Sequence, residues 1–184
     1  MNKHIIIVIM AIISLFFGFC GCVEQGENLL LNSGFEEGSN EIPSSWFKAV
    51  VPADNLTMLW DDTVVYNGSR SVGIINYHNY INDTCNNWAQ EIDDLPIGRI
   101  IEISGWIKTI NSDDVGMIIQ CLDEEYNFVR ANSTETYNPI NGTNDWDFYK
   151  ASVFVPLKTK KIVVRLFLCG TGEAWFDDVK LIVK

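Results

Sequence analysis

Beyond residue 22 the chain has no helical hydrophobic period of useful length. Its apolar, β-branched and aromatic residues come instead in short runs divided by turns rich in Gly, Asn, Asp and Pro. That pattern predicts strands over 28–32, 46–50, 57–61, 71–76, 88–92, 100–109, 115–123, 128–131, 146–155, 161–169 and 174–183. Turns are expected at 67–69, 93–98, 111–114, 138–144 and 170–172. So many short strands with no helix between them fit a sandwich or a barrel, because an all-β chain must bury one face of a sheet against another. The predicted fold class is therefore all-β, a β-sandwich spanning 28–184 behind an apolar N-terminal segment.

Side chains of a strand alternate between two faces. Ile101, Ile103, Gly105 and Ile107 share one face, opposite Glu102, Ser104, Trp106 and Lys108. Val115, Met117, Ile119 and Cys121 lie opposite Gly116, Ile118, Gln120 and Leu122. Ile162, Val164, Leu166 and Leu168 lie opposite Val163, Arg165, Phe167 and Cys169. Each strand thus has one apolar and one mixed face, and the mixed faces carry Trp106, Gln120 and Arg165. A ring with amide and guanidinium donors suits a sugar, whose C–H faces stack while its hydroxyls accept hydrogen bonds. The same residues also suit a face covered by a second sheet or a loop.

Ahead of this domain, Lys3 and His4 precede an apolar run from Ile5 to Phe19. A short basic start before an apolar core describes a secretory signal. Its end, Phe19-Cys20-Gly21-Cys22, resembles a lipoprotein signal in which Cys22 becomes the lipidated first residue, although Cys20 stands where such signals carry Ala or Ser. The expected organisation is a signal over 1–22, a linker over 23–27 and one domain over 28–184. An uncleaved anchor helix and plain secretion are the alternatives; a span needs about 20 apolar residues, and 5–23 barely reaches that. All three place the domain outside the cytoplasm, with the first two holding it at the membrane surface.

Starting at Cys22 leaves 163 of the 184 residues and 12 basic against 24 acidic side chains, a charge of −12. Such a balance disfavours nucleic acid, whose backbone attracts basic patches. Cys85, Cys121 and Cys169 allow one disulfide and a free thiol, or burial as small apolar groups, and no CxxC pair offers a zinc site. Five Asn-x-Ser/Thr sequons, at Asn55, Asn67, Asn82, Asn132 and Asn141, permit glycosylation of an exported glycoprotein.

Several segments carry a resemblance when taken in order: Asn28 to Gly38 with Phe35-Glu36, Pro43 to Trp46, Asn67 to Val72, Trp88-Ala89-Gln90-Glu91-Ile92, Ser104-Gly105-Trp106, Asp145-Trp146, and Trp175-Phe176-Asp177-Asp178-Val179. Together they resemble carbohydrate-binding modules of the cellulose- and xylan-binding kind, the galactose-binding-like jelly rolls of families 4, 9 and 22. The resemblance implies a jelly roll with a structural calcium where the first-strand loop meets the last strand, held by Glu36 and Asp177, with Glu37 and Asp178 as weaker ligands and backbone carbonyls completing the shell. It also implies a glycan site on the concave sheet or at the loop edge. Trp88 and Gln90 match a recurring aromatic-x-Gln position, and Trp60, Tyr77, Tyr80 and Tyr126 are rim candidates. Trp46, Trp146 and Trp175 are assigned to the core. The expected carbohydrate-binding residues are thus Trp88, Gln90, Trp106, Gln120, Arg165, Trp60 and Tyr126.

No catalytic constellation stands out. Outside the signal the single histidine is His78, and no HExxH, GxSxG or Gly-rich phosphate loop occurs. Glycoside hydrolysis needs two carboxylates at a set separation, and 24 acids single out no pair. The expected function is non-catalytic binding of a polysaccharide or cell-surface glycan by a tethered lipoprotein. A structural or adhesive module that contacts other surface proteins is the alternative, followed by a small glycan-active hydrolase.

Overall fold

A computed structural model describes residues 26–49, 55–78, 85–136 and 138–184. The expected signal, the lipidation site Cys22, Tyr80 and the Asn82 sequon lie outside the described residues. Among the described residues eleven strands follow in order: β1 (Gly38–Ser39), β2 (Ile42–Pro43), β3 (Phe47–Ala49), β4 (Leu56–Asp61), β5 (Ser71–Asn76), β6 (Cys85–Ile92), β7 (Ile100–Leu122), β8 (Phe128–Ser133), β9 (Ile140–Phe154), β10 (Lys161–Cys169) and β11 (Gly172–Val183). A 3-10 turn covers Thr134–Thr136. The architecture is a jelly-roll β-sandwich.

The long strand β7 organises both layers. Its first half, through Ile110, pairs with β9 and β11, and β11 continues to β5 and β4. Its second half, from Asp114, pairs with β10 and β8, and β10 continues to β6 and β3. The segment 111–114, expected to be a turn between two strands, is instead a bend inside one strand. Asn111 takes a left-handed φ of 47° there, and the ladder to β9 slips on either side. An asparagine tolerates that conformation better than most residues, so the turn-like composition is real but redirects the strand without reversing it.

The alternation read from sequence sets the core. Ile101, Ile103 and Ile107, then Val115, Met117, Ile119 and Cys121, then Ile162, Val164, Leu166 and Leu168 all point between the sheets and are buried. In β11 the inward phase changes once: Ala174 and Phe176 are inside, and then Val179, Leu181 and Val183. A bulge between Asp177 and Lys180 inserts the extra residue, with Asp178 at φ 48°. The bulge drives Val179 against Gly105, where an added Cβ would sit 3.0 Å from the Val179 side chain.

The segment expected as a first strand, 28–32, makes only an isolated bridge, Asn28 to Ile182. Backbone bonds also tie its start to β11, with Gly26 N–H donating to Val183 C=O and Leu29 N–H donating to Leu181 C=O. A disulfide joins Cys85 and Cys169, which face each other at one end of the β6–β10 ladder. Among the described cysteines Cys121 is the free thiol; it is buried, and burial pushes its pKa up.

Candidate functional site

The outer face of the β3-β6-β10-β7-β8 sheet brings together the polar and aromatic groups most suited to a ligand. Direct cross-strand partners share a face, so the register defines rows across it. One row runs Phe47, Ala89, Arg165, Ile118, Ser133. Beside it lie Ala49, Asn87, Phe167 and Gly116 on one side, and Glu91, Val163, Gln120 and Ala131 on the other. Five strands spaced about 4.8 Å apart make this face about 19 Å wide. Ala89, Val163 and Leu122 form a small buried apolar patch in its floor. Ala89, Gly116 and Ala131 are small, and the buried Phe167 ring lies against Gly116.

Arg165 is the centre of the face. Its Nε donates to Gln120 Oε1 at 2.9 Å and its Nη1 donates to Asn87 Oδ1 at 2.9 Å. Both acceptors are neutral amides, and they fix the guanidinium plane without neutralising it. Burial holds the arginine below its ordinary pKa, while the nearby Glu91 carboxylate pulls the other way. The rims are aromatic. Phe47, 43% exposed, ends the Arg165 row on β3, and Phe128 stands opposite Leu122 on β8. Tyr126 follows in the turn after β7, and the Lys161 ammonium lies 3.8 Å from its ring centroid and donates to its hydroxyl.

Toward the disulfide end of the same face, Asp114 sits opposite Cys169 and hydrogen-bonds Glu135. Burial and the adjoining Asp114 charge push the Glu135 pKa up to about 7.

Of the residues expected to hold sugar, Gln120, Arg165 and Tyr126 meet on this face. The other four do not, each for a definite reason. Trp88 projects into the core from the opposite side of β6; it is fully buried and its indole N–H donates to Gly73 C=O at 3.1 Å. Gln90 shares that inner side and clamps the N-terminal segment, accepting from Leu31 N–H at 2.8 Å and donating to Leu31 C=O at 3.0 Å. The aromatic-x-Gln pair is therefore a packing device. Trp60 packs against the core edge, donates from Nε1 to Phe35 C=O at 2.7 Å, and lies under the Arg70 guanidinium. Trp106 belongs to the first half of β7 and so to the outer face of the other sheet. There Tyr66 stacks on it at 3.9 Å, with Phe148 edge-on at 5.5 Å.

Trp46 and Trp175 are buried as expected, whereas Trp146 joins the Tyr66–Trp106 cluster on the outside, edge-on to Tyr66 at 5.9 Å. Tyr77 is exposed and donates its hydroxyl to Glu173, away from the Arg165 face. Asn87 and Phe47 escaped the sequence reading. The alternation opposite Trp88 and Gln90 marks Asn87 as outward, but only the register puts it next to Arg165.

Glu36 and Asp177 approach one loop, 62–70, from two sides. Asp177 is fully buried; Oδ2 accepts the N–H of Tyr66 at 2.9 Å and of Asn67 at 3.0 Å, and Oδ1 accepts that of Asp178 at 2.7 Å. Burial raises its pKa, the Asp178 charge adds to this, and the three amides oppose it. Glu36 accepts from Ser69 Oγ at 2.5 Å, Ser69 N–H at 3.0 Å and Arg70 N–H at 3.3 Å. Partial burial works against its charge, and these donors prevail, so its pKa is lowered. Gly68, at φ 75°, lies against the Glu36 carboxylate where no side chain fits. Among the described residues no group of three or more His, Cys, Asp or Glu gathers, so two carboxylates are the most this locus offers.

No protein-family model matches the sequence. The chain is similar to an uncharacterised HTH-type transcriptional regulator, YbfP, of Bacillus subtilis (strain 168), with 27% identity over 86 residues. That similarity spans 47% of this chain and 29% of the regulator, less than a third of its length. Among solved structures, the CBM22-1 xylan-binding domain of Paenibacillus barcinonensis Xyn10C superposes with a TM-score of 0.64 at 14% identity, over 88% of this chain and 97% of that domain. The enzymatically active domain of bacteriophage CBA120 tailspike protein 4 gives a TM-score of 0.62 at 20% identity, over 85% of this chain but only 21% of the tailspike chain. At these identities the structural likenesses establish a shared jelly-roll fold.

Proposed function

We propose that this chain binds carbohydrate without catalysis, through the outer face of the β3-β6-β10-β7-β8 sheet. The observation that carries the reading is the row Phe47–Ala89–Arg165, with Gln120 and Asn87 holding the guanidinium. An aromatic plate, a small gap and a fixed polar donor set in a line suit a chain of sugars, which offers alternating C–H faces and hydroxyls. The fold shared with a xylan-binding domain is consistent with this. A helix-turn-helix role has no support here, since the described residues contain no α-helix and the chain carries a net charge of −11.

The membrane tether at Cys22 is part of the same proposal: a lipid anchor there would hold the domain at the cell surface. Metabolic labelling with a radioactive fatty acid, lost in Cys22→Ala, tests it. A glycan array with the purified full chain tests the binding reading. Retention on at least one polysaccharide, weakened tenfold or more by Phe47→Ala, is the expected result, and no retention on any polysaccharide refutes it. The competing adhesive role is favoured by the aromatic cluster of Tyr66 and Phe148, both partly exposed on the other sheet. It predicts that Phe148→Ser affects cell-surface partners and leaves glycans alone.

A structural calcium at Glu36 and Asp177 is retained within the proposal. Both carboxylates reach the 62–70 loop, and among the described residues the buried Asp177 charge has N–H dipoles and no cationic side chain for partners. Backbone carbonyls would have to complete the oxygen shell, and the ion would fasten the loop to both ends of the domain. A melting temperature that falls with chelator and returns with calcium supports it; an unchanged melt removes it.

A further inference from the structure

We propose that the Arg165 face recognises the carboxylate of an acidic sugar, a uronate unit within a polysaccharide; this rests on the carbohydrate-binding reading above. A guanidinium has five N–H donors, and among the described residues two of them are engaged, by Gln120 and Asn87. Among the described residues Arg165 forms no salt bridge. The side chain is only partly exposed, in a chain with 24 acidic against 13 basic residues to draw on. Glu91 stands diagonally across β6, and its charge attracts Arg165, yet the two make no ion pair. Taking a charge partly out of water without a counter-charge is unfavourable. A fold that does so, and then orients the group with two neutral amides, has kept the charge for a partner it does not itself supply.

The partner is defined by the geometry of what is left. With Nε and one Nη1 hydrogen engaged, the second Nη1 hydrogen and both Nη2 hydrogens remain, a fork suited to two parallel bonds to one carboxylate. Two strand spacings away, about 10 Å by sheet geometry, Phe47 offers an exposed ring in the same row, and Ala89 between them raises no obstacle. A glycan chain can then stack one sugar on Phe47 while an acidic sugar farther along it meets Arg165. A free carboxylate would satisfy the fork but not the ring, so the ligand class is an acidic polysaccharide rather than a small organic acid.

The test is titration calorimetry of the full chain with oligomers of polygalacturonate and of glucuronoxylan, each beside its carboxyl-reduced form, with sulfated dextran as a plain polyanion. At least one acidic oligomer is expected to bind tenfold or more tightly than its reduced form and than sulfated dextran. Arg165→Gln should erase that preference, and Arg165→Lys, which keeps the charge but not the fork, should restore only part of it. Phe47→Ala should weaken both forms together. Melting curves of each variant establish that it is folded, and the Lys variant serves if the Gln variant is not. Equal affinity for acidic and reduced oligomers overturns the uronate assignment and leaves carbohydrate binding standing. Equal affinity for sulfated dextran reduces it to charge attraction and overturns it, as does a preference that survives in Arg165→Gln. Binding to none of the sugars overturns both readings.

Discussion

Replacing Glu135 by Gln should stabilise the protein above neutral pH and leave it unchanged near pH 5. Glu135 hydrogen-bonds Asp114 on the outer face of the sheet, and two ionised carboxylates cannot share that contact. Burial and the Asp114 charge therefore raise Glu135 from an ordinary 4.5 to about 7. Between these limits the folded protein keeps a proton that the unfolded chain has released, so stability falls as pH rises from about 4.5 to 7 and is level beyond. A shift of this size corresponds to at most about 3.4 kcal/mol at about 1.36 kcal/mol per pH unit. Because Glu135 is half-exposed, screening by water reduces this to about 1–2 kcal/mol. A glutamine can donate to Asp114 at every pH and has nothing to lose. Urea melts of parent and Glu135→Gln at pH 5, 6, 7 and 8 isolate the effect, because the other groups titrate alike in both. The expected difference grows from near zero at pH 5 to about 1–2 kcal/mol in favour of the variant at pH 8. A difference that stays flat with pH, or a variant less stable at pH 8, would show that the two carboxyls do not share a proton.

Three further predictions concern the scaffold. Trp88→Ala removes a fully buried indole and should destabilise by about 3–5 kcal/mol in a urea melt; sugar affinity of the folded fraction should not change, whereas a direct sugar contact would abolish it. Asp177→Ala orphans the amides of Tyr66, Asn67 and Asp178 and should cost about 2–4 kcal/mol, with faster hydrogen exchange at Tyr66 and Asn67; protection unchanged at both would mean that the loop is held elsewhere. The paired change Cys85→Ser and Cys169→Ser opens a link between residues 84 apart in sequence and should lower stability by about 2–4 kcal/mol. A melt identical to that of the parent would show that this bond constrains nothing.

The sequence was most informative where one strand sufficed. Alternation assigned the inward and outward sides of β7 and β10 correctly at every apolar position from Ile101 to Ile107, Val115 to Cys121 and Ile162 to Leu168, because burial of one face leaves no freedom in a period of two. It misread places where two strands had to be known together. Trp106 and Gln120 both lie on mixed faces of β7, yet the bend at Asn111 delivers them to different sheets. No local pattern separates a bend within a strand from a turn between two, since both use the same Asn- and Asp-rich chemistry.

Trp88 and Gln90 make the same point from the side of function. Both residues look suited to ligand binding in isolation, a large ring and an amide two positions apart. Their side of β6 is decided by its neighbours: Ala89 pairs with Arg165 and Phe47, which turn outward, so Trp88 must turn in. The indole then meets Gly73 C=O, and the amide meets Leu31, whose backbone would otherwise lack a ladder partner. Each polar group is satisfied within the fold, as burial demands. Arg165 is the contrary case. It lies outward, its two acceptors are neutral, and three of its donors have no partner in the described chain. Residues chosen by type alone fall into both categories, and what separates them is whether the fold has already used their hydrogen bonds. By that criterion the tryptophan and glutamine of β6 are structural, and the arginine of β10 is where a ligand has something left to gain.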